Sequence, residues 1–233
     1  MQRSAEKELL DAPDIPFDDI RRNMQELDTI NTLLGGHAIT ITGLKGFVRK
    51  GQQLSICEIG CGGGDNLAAI AKWCKKKGIA VSLTGIDINP FCIQTAKEKW
   101  TQNKALAAIP VQFIIADYRD ALLAEKPGVI FSSLFCHHFS HEELVRQLQW
   151  MKANSRYGFF INDLHRHPIA WHSIRILTRL FSGSYLVKND APLSVKRSFV
   201  KSDWIILFQQ AGISTFSVHW KWAFRWLVTV GPE

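Results

Sequence analysis

Two hydrophobic periods divide the chain. From Phe17 to Leu34, apolar residues fall at Ile20, Met24, Leu27, Ile30 and Leu34. Spacings of three and four predict an amphipathic helix, and Gly35-Gly36 ends it. A second, short helix is predicted from Ala38 to Val48. Short apolar runs then alternate with helical patterns. Strands are predicted at Leu54 to Ile59, Ala80 to Ile88, Val111 to Ala116, Gly128 to Leu134 and Gly158 to Asn162. Helices are predicted at Asp65 to Lys76, Pro90 to Trp100 and His141 to Ala153, the last with Ser140 as its N-cap. Strands that are apolar throughout, each followed by a helix, belong in a mostly parallel sheet covered on both faces. Right-handed crossovers make such a sheet doubly wound, and its ligands collect beyond the carboxyl ends of the strands.

The rhythm breaks after Leu164. Pro168 to Phe181 reads as a helix and Ser182 to Val195 as a loop carrying Gly183, Asn189, Asp190 and Pro192. Ser202 caps a helix from Asp203 to Ala211, which Gly212 stops. Two strands follow, Ser214 to Trp220 and Phe224 to Val230. Parallel neighbours need a long crossover, so the short Lys221-Trp222 link makes this last pair antiparallel.

With 233 residues, 46% of them hydrophobic, the chain can bury one substantial core. The N-terminal residues have no apolar centre, and no apolar run approaches the roughly 18 residues of a membrane span. The expected location is therefore the cytoplasm. The five cysteines, Cys57, Cys61, Cys74, Cys92 and Cys136, fit neither a zinc pattern nor a disulfide framework. The net charge of +7 is scattered along the chain. No known nucleic-acid-binding motif accompanies it, which argues against nucleic acid as a partner.

The chemistry concentrates at strand ends. Glu58-Ile59-Gly60-Cys61-Gly62-Gly63-Gly64 forms a turn between a strand and a helix. Glycine lets backbone approach a ligand closely, and free N–H groups at a helix start attract a carboxylate or phosphate. A dinucleotide fingerprint would need a glycine where Asp65 stands. Glu58, two residues before the first glycine, can receive an ammonium group, so an amino-acid ligand fits better than a pyrophosphate. Asp87, near the end of the second strand, lies about 23 residues after Gly64, placed to accept from two ribose hydroxyls. Asp117 and Tyr118 end the third strand, where a carboxylate can accept from an adenine amine and a ring can flank the base.

Together, E-x-G-x-G-x-G, the Asp after the second strand and the Asp after the third resemble the class I S-adenosylmethionine-dependent methyltransferases over about residues 51 to 165. Ser132-Ser133-Leu134-Phe135-Cys136-His137-His138-Phe139 resembles the small-molecule branch that includes ubiquinone and menaquinone biosynthesis enzymes. The resemblance implies a doubly wound, Rossmann-like α/β fold, a seven-stranded mostly parallel sheet with its last strand antiparallel. The divisions expected are an N-terminal helical cap (1–50), a cofactor-binding core (51–165), a lid insertion (166–200) and a final helix with a hairpin completing the sheet (201–233). The implied cofactor is S-adenosyl-L-methionine, with S-adenosyl-L-homocysteine as product. Gly60, Cys61, Gly62, Ser133 and Leu134 would surround its methionine portion, Asp87 its ribose, and Ile88, Asp117 and Tyr118 its adenine. The usual K-P-G-G turn before the fifth strand is replaced by Asn154-Ser155-Arg156-Tyr157-Gly158.

A phenol or enol acceptor must lose a proton, and histidine accepts one near neutral pH. His137, His138 and His165 are the candidates. Asn162, Asp163, Arg21, Trp171 and Arg175 are the candidate acceptor contacts. No metal-ligand spacing stands out, so no metal is expected. The reading is methyl transfer to a small-molecule acceptor, foremost O-methylation of a phenolic, quinol or polyketide-like compound. The alternatives are C-methylation of a quinone or lipid precursor, a nicotinamide oxidoreductase, and a non-catalytic membrane- or protein-binding module. The aromatic-basic tail His219-Trp220-Lys221-Trp222-Ala223-Phe224-Arg225-Trp226 raises peripheral membrane association, although an alternating hairpin accounts for it. A monomer and a homodimer are equally compatible with the sequence.

Overall fold

A computed structural model describes residues 1–12, 14–49 and 51–231. Pro13, Lys50, Pro232 and Glu233 lie outside them, and with them the domain limits expected at 50 and 233. Seven strands form one sheet in the order β3-β2-β1-β4-β5-β7-β6. They are β1 (Leu54–Ile59), β2 (Val81–Asp87), β3 (Val111–Ile115), β4 (Val129–Ser133), β5 (Gly158–Leu164), β6 (Ser217–Lys221) and β7 (Arg225–Val230). The first five are mutually parallel, β7 runs antiparallel to β5, and β6 pairs antiparallel with β7. Strand order therefore reverses between β1 and β4, where the carboxyl ends diverge into a crevice.

Eight α-helices are described. They are α1 (Phe17–Leu33), α2 (Gly36–Lys45), α3 (Asp65–Lys77), α4 (Pro90–Gln102), α5 (His141–Asn154), α6 (Pro168–Phe181), α7 (Tyr185–Arg197) and α8 (Lys201–Gln210). One core gathers Leu54, Ile56, Leu67, Ile70, Phe131 and Phe160 on one face of the sheet. Another gathers Ile59, Ile130, Leu144, Phe159, Trp204 and Phe208 on the other. The near-continuous burial of β1 and β4 is what a parallel strand covered on both faces requires.

The last third departs from expectation at one element. Ser182 to Val195, expected as a loop, is mostly helix α7, capped by Ser184, whose hydroxyl accepts from the Val187 N–H. Pro192 lies inside it and cannot donate to the Lys188 carbonyl. Burial of Leu186, Val187 and Val195 outweighs that loss. The Asn-Asp-x-Pro composition suggested a turn, but the Asp190 carboxylate serves another segment. It accepts from the N–H groups of Leu9 (2.9 Å) and Leu10 (3.0 Å). The N-terminal residues are thereby strapped across α7. Ser4 N–H donates to the Lys196 carbonyl, and Arg3 donates to the carbonyls of Arg197 and Phe139. The helix start also moves from Asp203 to Lys201, because the Asp203 carboxylate accepts from the Val200 N–H at 2.9 Å.

Removing this anchor should release the strap. Asp190→Ala leaves two N–H groups without their acceptor, a cost of about 1–3 kcal/mol each where they are buried. Limited proteolysis should then cleave the strap, between Met1 and Ala12, faster than in the parent, with the sheet still folded by circular dichroism. Equal cleavage rates would show that Asp190 does not hold the strap.

Candidate functional site

The crevice between β1 and β4 is built from strand ends and the glycine turn. β1 delivers Glu58, 1% exposed. Its Oε1 accepts from Asn66 Nδ2 at 3.0 Å, and its Oε2 has no partner among the described residues. Burial pushes this carboxyl well above the ordinary range, against the Asn66 hydrogen bond and together with the charge of Asp87. Asn66 belongs to a chain of polar groups that the sequence reading did not find. Its Oδ1 lies 2.9 Å from His37 Nδ1, and His37 Nε2 lies 2.9 Å from Asp28. Lys99 pairs with both Asp28 and Asp65. The position of Asn66, directly after the turn, was the one sequence signal available.

Gly60 and Gly62 both take left-handed φ, +67° and +50°. A Cβ at Gly60 would stand 2.2 Å from the Phe135 ring, whereas one at Gly62 would meet nothing within 4 Å. Gly62 thus faces the open crevice, and its N–H donates to Asp87 Oδ2 at 2.8 Å. Asp87 Oδ1 accepts from the Asn89 N–H, and burial raises the Asp87 carboxyl against these two bonds. Cys61 is buried, its thiol pushed up by burial and packed where a Cβ on Gly85 would lie. Ile88 is 70% exposed beside Asp87, an apolar side chain turned to solvent. Asp117 accepts from Arg119 Nε at 2.9 Å and Nη2 at 2.5 Å, and this pairing holds its carboxyl below the ordinary value.

Tyr118 corrects an expectation. Its ring packs edge-on to Phe135, Phe139 and Trp150 and is 6% exposed. The ring is thus held inward in the crevice wall, where the sequence reading had expected it to stand open. Ser133 is buried at the end of β4. Leu134 follows at φ +54°, a left-handed conformation uncommon for a bulky residue. Its N–H donates to the Asn162 carbonyl at 2.9 Å.

Beyond Leu134 stands a cluster of carboxylates and imidazoles. His137, 3% exposed, places Nδ1 2.8 Å from Asp163 Oδ1. Its Nε2 lies 3.6 Å from Glu8 Oε1, and His138 Nε2 lies 3.8 Å from Glu8 Oε2. His138 Nδ1 lies 3.3 Å from Asp11. Burial alone would raise Asp163, but His137 overcomes it and holds the carboxyl below its ordinary value. Burial raises Glu8, against His138 and the Ser194 hydroxyl. Glu8 and Asp11 come from the strap, and no local sequence signal tied them to this site. Arg197 fixes the arrangement by donating to the carbonyls of Glu6, His137 and His138.

The other expected residues spread more widely. Asn162 is fully buried and donates to the Gly36 carbonyl and the Thr40 hydroxyl, binding α2 to β5. His165 packs against Trp226 and Phe224 of the terminal hairpin, and burial lowers its imidazole, aided by His167 and Arg166. Trp171 and Arg175 stack at 5.0 Å along a groove of about 230 Å³ between α6 and α7, with Arg179, Lys188 and Lys196. Arg21 lies over the Phe17 ring on α1, away from the crevice residues in its contacts.

Residues 56–158 match the family model of a methyltransferase domain. Over those residues, which hold the glycine turn, Asp87 and Asp117, the chain is similar to a methyltransferase domain. No curated protein matches it. Solved methyltransferases share its fold. The magnesium protoporphyrin IX methyltransferase of Synechocystis PCC 6803, with bound S-adenosylmethionine, superposes with TM-score 0.60 at 14% identity, covering 93% of this chain and 91% of that one. The plantazolicin methyltransferase BpumL, in complex with S-adenosylhomocysteine, gives 0.64 at 21%, covering 91% and 76%. An Aquifex aeolicus S-adenosylmethionine-dependent methyltransferase gives 0.62 at 16%, covering 92% and 97%.

The two glycines should respond differently to alanine. Gly62→Ala should cost about 1 kcal/mol, the left-handed penalty alone. Gly60→Ala adds the clash with Phe135 and should cost about 1–3 kcal/mol more. Urea unfolding measures both, and equal losses would contradict the packing described.

Proposed function

We propose that the methyltransferase domain passes a methyl group from S-adenosylmethionine to a hydroxyl of a small, aromatic or lipid-like molecule. The unpaired Glu58 Oε2 carries the cofactor assignment. A buried carboxylate oxygen with no partner is costly unless something arrives to pair with it. The cofactor's ammonium group suits it, and Gly62 leaves the adjoining space open. Asp87 stands to accept from the ribose hydroxyls, Ile88 to cover the adenine and Asp117 to meet its amine. Gly60, Cys61, Ser133 and Leu134 border the methionine end. When bound, the cofactor supplies an electrophilic methyl on a sulfonium.

The chain's own part is to position the acceptor, exclude water and take up the hydroxyl proton. The cluster of Asp163, His137, Glu8, His138 and Asp11 supports the last role. An O–C bond forms as the S–C bond breaks, the hydroxyl proton leaves through the cluster, and S-adenosylhomocysteine remains. His165, turned to the hairpin, is left outside the step. The strap with α6 and α7 forms the lid, and Trp171 and Arg175 line its cationic groove.

A lipid-like acceptor is favoured by α6. Ile169, Ile176, Leu177, Leu180 and Phe181 are exposed, Phe181 by 80%. They recur at helical spacing, and Arg175 and Arg179 lie beside them. Such a face suits the interface of an anionic bilayer.

Calorimetry with S-adenosylhomocysteine tests the cofactor seat. Only ionised Glu58 attracts the ammonium group, and burial favours its neutral form over a wider pH range. Affinity should therefore strengthen as pH rises beyond the ordinary carboxylate range, because the buried carboxyl ionises later than a free one. Glu58→Gln should weaken binding about tenfold or more and flatten this rise. A folded protein that binds no S-adenosylhomocysteine would end the proposal. For α6, flotation with vesicles containing phosphatidylglycerol should recover the parent and not Leu180→Glu/Phe181→Glu. Equal recovery would remove the membrane reading.

A further inference from the structure

We propose that Glu8, His137 and His138 form a binding site for a divalent transition-metal ion, closed by the N-terminal strap. Their donor atoms all lie within 4.8 Å of one another. The two histidine nitrogens stand 3.6 Å and 3.8 Å from the Glu8 oxygens. An N–H···O hydrogen bond spans roughly 2.7–3.2 Å, so both separations are too long for one. They suit shared ligation better. Two ligands each about 2.1 Å from one ion stand about 3.4 Å apart at a tetrahedral angle.

The surroundings carry the argument further. Asp163 Oδ1 also accepts the Leu164 N–H, so the His137 Nδ1 facing it is the donor. In the neutral ring the other nitrogen, the Nε2 that faces Glu8, carries the lone pair. His138 repeats the pattern, with Nδ1 toward Asp11 and Nε2 toward the second Glu8 oxygen. A carboxylate behind each imidazole is the usual outer support of a metal-binding histidine. Ser194 holds Glu8 Oε1 from behind at 2.7 Å, and Arg197 fixes both histidine backbones through their carbonyls. Two imidazoles and one carboxylate suit zinc or iron(II) and leave further positions open.

The cluster stands after β4, where the transferase reading places the acceptor, and the inference rests on that reading only for the ion's role. With the ion bound the two imidazoles no longer take up the proton, and an acceptor hydroxyl on the ion would release it to solvent more readily than when free. Spacing along the chain could not show this site, because Glu8 and the histidine pair come from distant segments.

Co2+ titration of the chelator-stripped full chain tests the site through visible absorption and calorimetry. One equivalent should bind and be displaced by Zn2+. Glu8→Gln, which alters only the strap, should weaken uptake at least tenfold, and His137→Ala should abolish it. Asp163→Asn should weaken it about tenfold to a hundredfold. Asp87→Asn, which alters the proposed ribose contact, should leave it unchanged. The proposal is overturned if folded parent protein binds neither ion, or if Glu8→Gln binds Co2+ as tightly as the parent. S-adenosylhomocysteine binding measured on the same preparation reports separately on the transferase reading.

Discussion

Glu58 is a carboxylate at the end of a strand buried on both faces, with one oxygen paired and the other left over. Placing such a group out of water costs free energy that hydrophobic packing does not offset. The fold tolerates it because Asn66 meets one oxygen and the His37–Asp28 pair holds Asn66 in turn. The central strand, the glycine turn and the first helices are thus joined through one polar chain. Its loose end opens at the point where strand order reverses.

The cluster beyond Leu134 follows a different plan. Its polar residues come from three places, the tail of β4, the end of β5 and the N-terminal strap, and only the strap crosses the others. Asp190 and Arg197, both on α7, hold that strap and the β4 tail in register. A helix with Pro192 inside it is therefore the frame that brings Glu8 to His137.

Much of this was legible in the sequence, for local reasons. Strand and helix periods, glycines at tight turns and acids at strand ends act over a few residues. β1 and α6 accordingly fall where their patterns put them, and the short hairpin link revealed the reversed last strand. Three things were not legible. α7 carries turn-forming residues whose polar groups are satisfied by a distant segment. Tyr118 shares its position with Asp117, but ring packing turns it inward. Asn162, expected to meet the acceptor, directs its donors to α2. In each case a long-range partner settles what composition leaves open.

The central claim is that the free oxygen of Glu58 is paired by the ligand. A crystal structure of the S-adenosylhomocysteine complex tests it most directly. The account predicts the ligand's amino nitrogen within hydrogen-bonding distance of Glu58 Oε2, directly or through one water, with its ribose hydroxyls on Asp87. A complex in which the nucleoside lies elsewhere and Glu58 Oε2 remains unpaired would contradict it.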